Sequence, residues 1–112
     1  MSAYTHLSAD FHGVDASRLR DVSLLTGLLI AAAGAAGLPG SGTPIVRQLP
    51  NDAVTGVLLL GGSQTTVLTD PEIGVLLLDV IAPATHEPSK ALDVFARRLA
   101  AREVRSEQRA RG

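Results

Sequence analysis

The chain has 112 residues, a formal net charge of -1, 46% hydrophobic but only 3% aromatic residues, and no cysteine. A chain of this length builds one modest core from Leu, Val, Ile and Ala, burying roughly two-thirds of its unfolded surface, so it gains from pairing with a second copy. The charge argues against a general polyanion-binding surface, the shortage of aromatics against base-stacking platforms, and the lack of cysteine against disulfides, thiolate metal sites and thiol catalysis.

Residues 4 to 12 alternate, with Leu7, Ala9 and Phe11 on one side and His6, Ser8, Asp10 and His12 on the other, which predicts a half-buried strand. Gly13-Val14-Asp15 offers a turn and an N-cap. A helix is expected from Ala16 to Ala36, ending at Gly37, with Leu19, Val22, Leu25, Leu29 and Ala33 on its apolar face. Residues 22 to 46 carry no charge, yet the apolar part stops at Leu38-Pro39-Gly40, short of the roughly 20 residues a membrane span needs. A buried helix is therefore expected and no membrane partner. The N-terminal residues lack the basic and apolar regions of a secretory signal, which predicts a cytoplasmic location.

"GLPGSGTP" is a loop by composition, and strands are expected at Ile45 to Leu49, Val54 to Leu60, Thr65 to Thr69 and Ile73 to Ile81. Pro83 ends the last of these. "HEPSKALDVFARRLAA" has a Pro near its first turn and runs at helical spacing through Ala91, Val94, Phe95 and Leu99, and "REVRSEQ" can close with an edge strand. The fold class that follows is α+β, a single two-layer domain over residues 1 to 112 with two helices on one face of an antiparallel sheet. Six of the ten basic residues lie between Arg97 and Arg111, interleaved with Glu103 and Glu107, a pattern that suits a solvated edge.

Two features suggest chemistry on spacing alone, and both have plain readings. His6, Asp10 and His12 share a strand face, but His6 and His12 lie about 20 Å apart at roughly 3.3 Å per residue, too far to share one metal ion. Gly61-Gly62-Ser63 can be a bulge or turn whose hydroxyl caps local backbone, and Glu72 beside Pro71 a solvated turn residue.

The segment "GGSQTTVLTDPEIGVLLLDV", together with "LSADFHGVD" near the start and "LPNDAVTGVLLL" before it, resembles the small prokaryotic S-adenosylmethionine decarboxylases over nearly the whole chain, in the same order and at similar spacing. The family's fold, a sheet with helices on one face assembled as a homodimer, is what the resemblance implies here. In that family the serine matching Ser63 becomes a pyruvoyl group by self-cleavage, and that ketone serves as the electron sink for decarboxylation. The resemblance further implies that Thr55 supplies a hydroxyl that assists processing and that Glu72 holds the substrate's ribose hydroxyls, since a carboxylate accepts from two vicinal hydroxyls at once.

The departures from the family pattern bear on chemistry. Gly62 stands in place of Glu, Gln64 of His, and Asp70 of Trp; Leu68 occupies the position of the processing histidine, and Pro83 that of the cysteine that protonates the product. Neither a leucine nor a proline can move a proton. His86, a few residues after Pro83, is the replacement proton donor that position and imidazole chemistry favour.

The candidate catalytic residues are thus Ser63, Thr55 and His86, and the candidate substrate-binding residues Glu72, Asp70 and Gln64. The expected function is a diverged enzyme with a nucleoside- or amino-acid-type pocket and altered, non-pyruvoyl chemistry, of a kind that suits a specialised biosynthetic pathway. The alternatives are a self-processing pyruvoyl decarboxylase of S-adenosylmethionine or another amino acid, and a non-catalytic ligand-binding or regulatory homologue. No cofactor is expected beyond a pyruvoyl made from Ser63 if self-processing occurs, and the expected partners are a small-molecule ligand and a second copy of the chain.

Overall fold

The computed structural model describes residues 2–40 and 42–112. In chain order the elements are β1 (Tyr4–His12), α1 (Ala16–Leu19), α2 (Val22–Ala35), β2 (Ile45–Gln48), β3 (Val54–Leu60), β4 (Ser63–Asp70), β5 (Val75–Pro83), α3 (Pro88–Leu99) and β6 (Glu103–Arg111). The six strands form one antiparallel sheet in the order β2-β3-β4-β5-β1-β6. Helix α2 lies over β2 and β3, α3 lies over β5 and β1, and the two helices pack on each other. This is the expected two-layer α+β arrangement, with three helices rather than two.

Strand alternation creates the layers. Leu7, Ala9 and Phe11 of β1, Val54 and Leu58 of β3, Val67 of β4, and Leu76, Leu78 and Val80 of β5 all point to the helix side and are buried. Against them α2 sets Leu25, Leu28, Leu29, Ala32 and Ala33, and α3 sets Ala91, Phe95 and Leu99. Phe11 and Phe95 meet with ring centroids 6.3 Å apart, so one of the few aromatic contacts joins the two layers.

The helix expected over residues 16 to 36 is divided at Arg20-Asp21. Asp15 accepts from the Ser17 N–H at 3.1 Å and Asp21 from the Leu24 N–H at 3.0 Å, so each carboxylate caps its own helix start. The stop at Ala36 is as expected: Gly37 adopts φ 73°, and the Leu38 N–H reaches back to the Ala33 carbonyl at 3.0 Å.

The segment read as a strand from Ile73 begins instead at Val75. The Asp70 carboxylate accepts from the N–H groups of Glu72 (3.1 Å) and Ile73 (3.4 Å), and the Gly74 N–H bonds the Asp70 carbonyl, which commits residues 71 to 74 to a turn.

Buried Thr69 ties three elements together. Its Oγ1 accepts from the Val54 N–H at 2.8 Å, at the start of β3, and donates to the Leu19 carbonyl at 2.8 Å, the carbonyl at the end of α1. Replacing Thr69 by Val removes both bonds without changing side-chain volume much and orphans a buried donor and acceptor. We expect a loss of about 1–3 kcal/mol in urea unfolding. Thr69→Ser, which keeps the hydroxyl, should recover most of it.

Candidate functional site

Ser63 is the first residue of β4, directly after the tight turn Gly61-Gly62, and pairs with Leu60 of β3. The turn needs its glycine: Gly62 has φ 81°, a backbone conformation that would strain the glutamate found there in the resembled family. Because β4 alternates as Ser63, Thr65, Val67 and Thr69 inward, the Ser63 side chain faces the helix layer. Its Oγ is closed off from solvent and has no hydrogen-bond partner among the described residues, so it does not cap local backbone. An unpartnered buried hydroxyl costs free energy and calls for an explanation.

Beside Ser63 opens a cleft of about 390 Å³ lined by Tyr4, Leu59, Leu60, Gly62, Gln64 and Ile81. The sequence flagged only Ser63 and Gln64 of this set. Tyr4 could have been found from the strand alternation, since it lies on the face of His6 and pairs with Pro83. Apart from Tyr4 the lining has no side chain that exchanges protons readily, and no histidine reaches it.

Thr55 and Leu68 are cross-strand partners on the opposite, helix-free face of the sheet. The structure brings them together, but on the side Ser63 turns away from. His86 sits in the turn after β5, its N–H donated to the Pro83 carbonyl at 3.0 Å, and does not line the Ser63 cleft.

Glu72 is exposed at the far end of β4 in a separate cleft of about 490 Å³ that includes Asp15, Pro71, Ile73 and Arg102 and shares no residue with the first. Ser63 and Asp70 are seven strand steps apart, roughly 23 Å at 3.3 Å per step, so no small ligand on one protomer touches both Ser63 and Glu72. Asp70, with one carboxylate oxygen in the turn, lines a third, largely apolar cleft of about 410 Å³ with Leu68, Ile73, Leu77 and His12.

The histidine pattern of β1 resolves differently from a metal set. His6 Nε2 lies 2.9 Å from the Asp79 carboxylate of β5, while Asp10 and His12 stand opposite Leu77 and Val75. Among the described residues no cluster of three potential metal ligands occurs.

Against known proteins, the family model described as S-adenosylmethionine decarboxylase matches residues 5–112. The chain belongs to the S-adenosylmethionine decarboxylase family. It is 29% identical over 108 residues to the S-adenosylmethionine decarboxylase proenzyme of Caldanaerobacter subterraneus subsp. tengcongensis, covering 96% of this chain and 86% of that one. With the Aquifex aeolicus proenzyme it shares 36% identity over 86 residues, 77% of this chain and 62% of the relative. The crystal structure of the Aquifex aeolicus adenosylmethionine decarboxylase superposes with a TM-score of 0.86 at 29% identity, covering 99% of this chain and 92% of that one. The fold of this family member is therefore that of the decarboxylases. No helix among the described residues is long and apolar enough to cross a membrane.

The orphaned Ser63 hydroxyl yields a direct expectation. If Oγ has no protein partner, Ser63→Ala should leave stability unchanged or raise it by up to about 1 kcal/mol in chemical unfolding. A loss above that would reveal a structural hydrogen bond instead.

Proposed function

We propose that this chain is a diverged member of its family that keeps a nucleoside- or amino-acid-type pocket at Ser63 but does not perform the family's pyruvoyl chemistry. The observation that carries this is the setting of Ser63. Its hydroxyl is buried without a hydrogen-bond partner among the described residues, with Tyr4 the one proton-exchanging side chain of the cleft, Leu68 in the processing position, Pro83 in the proton-donor position and His86 outside the cleft. Turning a serine into a pyruvoyl requires moving protons on and off the hydroxyl and the scissile amide. The residues present do not fit that group, and no step is assigned through it. The same lack of proton-moving groups favours, as a second reading, a homologue that binds its ligand without turning it over.

The split between Ser63 and Glu72 supports a homodimer as the working unit. The helix-free face of the sheet exposes Ile45, Leu59, Leu68 and Leu77, with Tyr4 and Ile73 at its ends, an apolar surface that a second copy would cover. A two-fold axis lying between two such faces and crossing the strands exchanges strand ends. It would place the partner's Glu72 near the side of the Ser63 cleft formed by Tyr4, Gln64 and Ile81, where its carboxylate could hold vicinal hydroxyls of a ribose. Gln64, on the same face and in the Ser63 cleft, would meet that ligand directly.

Intact-protein mass spectrometry tests the chemistry: a single uncut chain of 11.6 kDa is expected, and two fragments meeting between Gly62 and Ser63 would establish the self-processing enzyme instead. Calorimetric titration with S-adenosylmethionine, adenosine and free amino acids should find a ligand whose binding falls at least about tenfold, 1.4 kcal/mol, in Glu72→Ala. Chromatography of the incubated ligand then separates an altered enzyme, which consumes it, from a binding homologue, which returns it unchanged.

Leu77→Glu, on the exposed face and outside the Ser63 cleft, should abolish the sheet-face dimer and lower the sedimenting mass. An unchanged mass would place the interface elsewhere.

A further inference from the structure

Strand β6 is the outer edge of the sheet, nine residues long and exposed throughout, with no proline. An edge of this length offers a row of free backbone groups, and proteins commonly blunt such edges with charge. Here the charges alternate in sign. Glu103, Arg105, Glu107 and Arg109 share the helix-free face, and Arg105 already contacts Glu103 at 3.1 Å.

The free groups can be assigned to residues. The Ala84 N–H donates to the Ala3 carbonyl and the Arg102 N–H to the His12 carbonyl, so odd-numbered residues of β1 direct their backbone groups at β5 and even-numbered ones at β6, and by the β1–β6 register the odd-numbered residues of β6 direct theirs at β1. The even-numbered residues therefore direct theirs at the open edge. A second β6 pairing antiparallel with this edge must match even residue to even residue in its hydrogen-bonded pairs, which sets odd residue opposite odd residue between them and restricts the allowed registers to shifts of two.

In the register centred on Ser106, Glu103 faces the partner's Arg109 and Arg105 faces the partner's Glu107, and the two-fold repeats both pairs. Every charged cross-strand pair is then of opposite sign. Shifting by two residues one way sets Arg105 against itself and Glu103 against Glu107, and shifting the other way sets Glu107 against itself and Arg105 against Arg109. Like charges directly opposite disfavour both. We propose that β6 is a self-recognition edge, through which two copies of this chain join antiparallel about a two-fold axis at Ser106 into a continuous sheet of both protomers. The contact is independent of the sheet-face dimer. Its axis runs normal to the sheet, whereas the face-to-face axis lies in the sheet plane, so the two can coexist in one closed assembly.

The absence of cysteine makes the test clean. Ser106, on the helix side opposite Ala9, becomes in the paired edge a hydrogen-bonded neighbour of its own counterpart, at a Cα separation of roughly 5.5 Å, within disulfide range. Val104 stands four residues from its counterpart, roughly 13 Å away. Under mild oxidation Ser106→Cys should convert to a disulfide-linked dimer on a non-reducing gel while Val104→Cys stays at the level of random collision.

Because Ser106 faces the helix side, packing of the opposite faces cannot produce this cross-link, and its loss would leave the sheet-face dimer untouched. Equal cross-linking of the two variants, or none by Ser106→Cys, overturns the proposal. As a second arm, Glu103→Lys/Glu107→Lys should lose edge association, and mixing it with Arg105→Glu/Arg109→Glu should restore it, since every pair is again of opposite sign. Failure of the mixture to associate would also overturn it.

Discussion

The direction in which β4 presents its side chains decides what this protein can do, and Thr69 helps to hold that direction. A strand has a side-chain period of two, so a slip of one residue would turn Ser63 out to the bare face and bring Gln64 and Leu68 into the core. Thr69 cannot slip without breaking the bonds of its Oγ1 to the Val54 N–H and the Leu19 carbonyl. Val67, buried between Gly56 and Leu78, favours the same register by packing, and a side chain on Gly56 would press on Leu29, Val46 and Val67 at 3.2–3.3 Å. Hydrogen bonding at one end of β4 thus fixes the orientation of the serine at the other.

That orientation separates the positions that the resemblance singled out into three places. Ser63 lies under the helix layer at one end of the sheet, Thr55 and Leu68 meet on the bare face, and Glu72 stands at the far end. On the proposed reading a single protomer offers only partial sites, and with exposed leucines between them, completing the site and covering the sheet would be one event. Small size works in the same direction, because a core this modest leaves apolar area on the surface that only association can remove from water.

Much of the fold was legible in the sequence because it rests on periodicity. The alternation of residues 4 to 12 located β1 to the residue, the Gly37 stop was read from one glycine, and the helical spacing of Ala91, Phe95 and Leu99 gave α3 its buried face. What escaped was set by local polar competition. Asp21 fell inside the expected helix and proved to be a second cap, and Asp70, expected to bind substrate, ends β4 and organises the turn that delays β5. The site was less legible than the fold. Sequence order placed Ser63 and Glu72 a few residues apart, but an extended strand converts nine residues of separation into opposite ends of the molecule, and only pairing information reveals which cleft each one joins.

The two open surfaces of the sheet have different chemistry, and this limits how each can be used. The bare face carries aliphatic side chains on β2 to β5, Ile45, Leu59, Leu68 and Leu77 among them, which can bury area but are poor at choosing a register, so specificity there must come from the polar side chains beside them, such as the His6–Asp79 pair and Gln64. The β6 edge buries little and is directional, because backbone pairing fixes the spacing of its charges and alternating signs reject neighbouring registers. A weakly selective surface that stabilises and a selective one that adds little area are complementary. The geometry of a completed site, which needs groups from two chains at one ligand, would be sensitive to any error in how the faces meet, and a second contact with a fixed register would reduce that error.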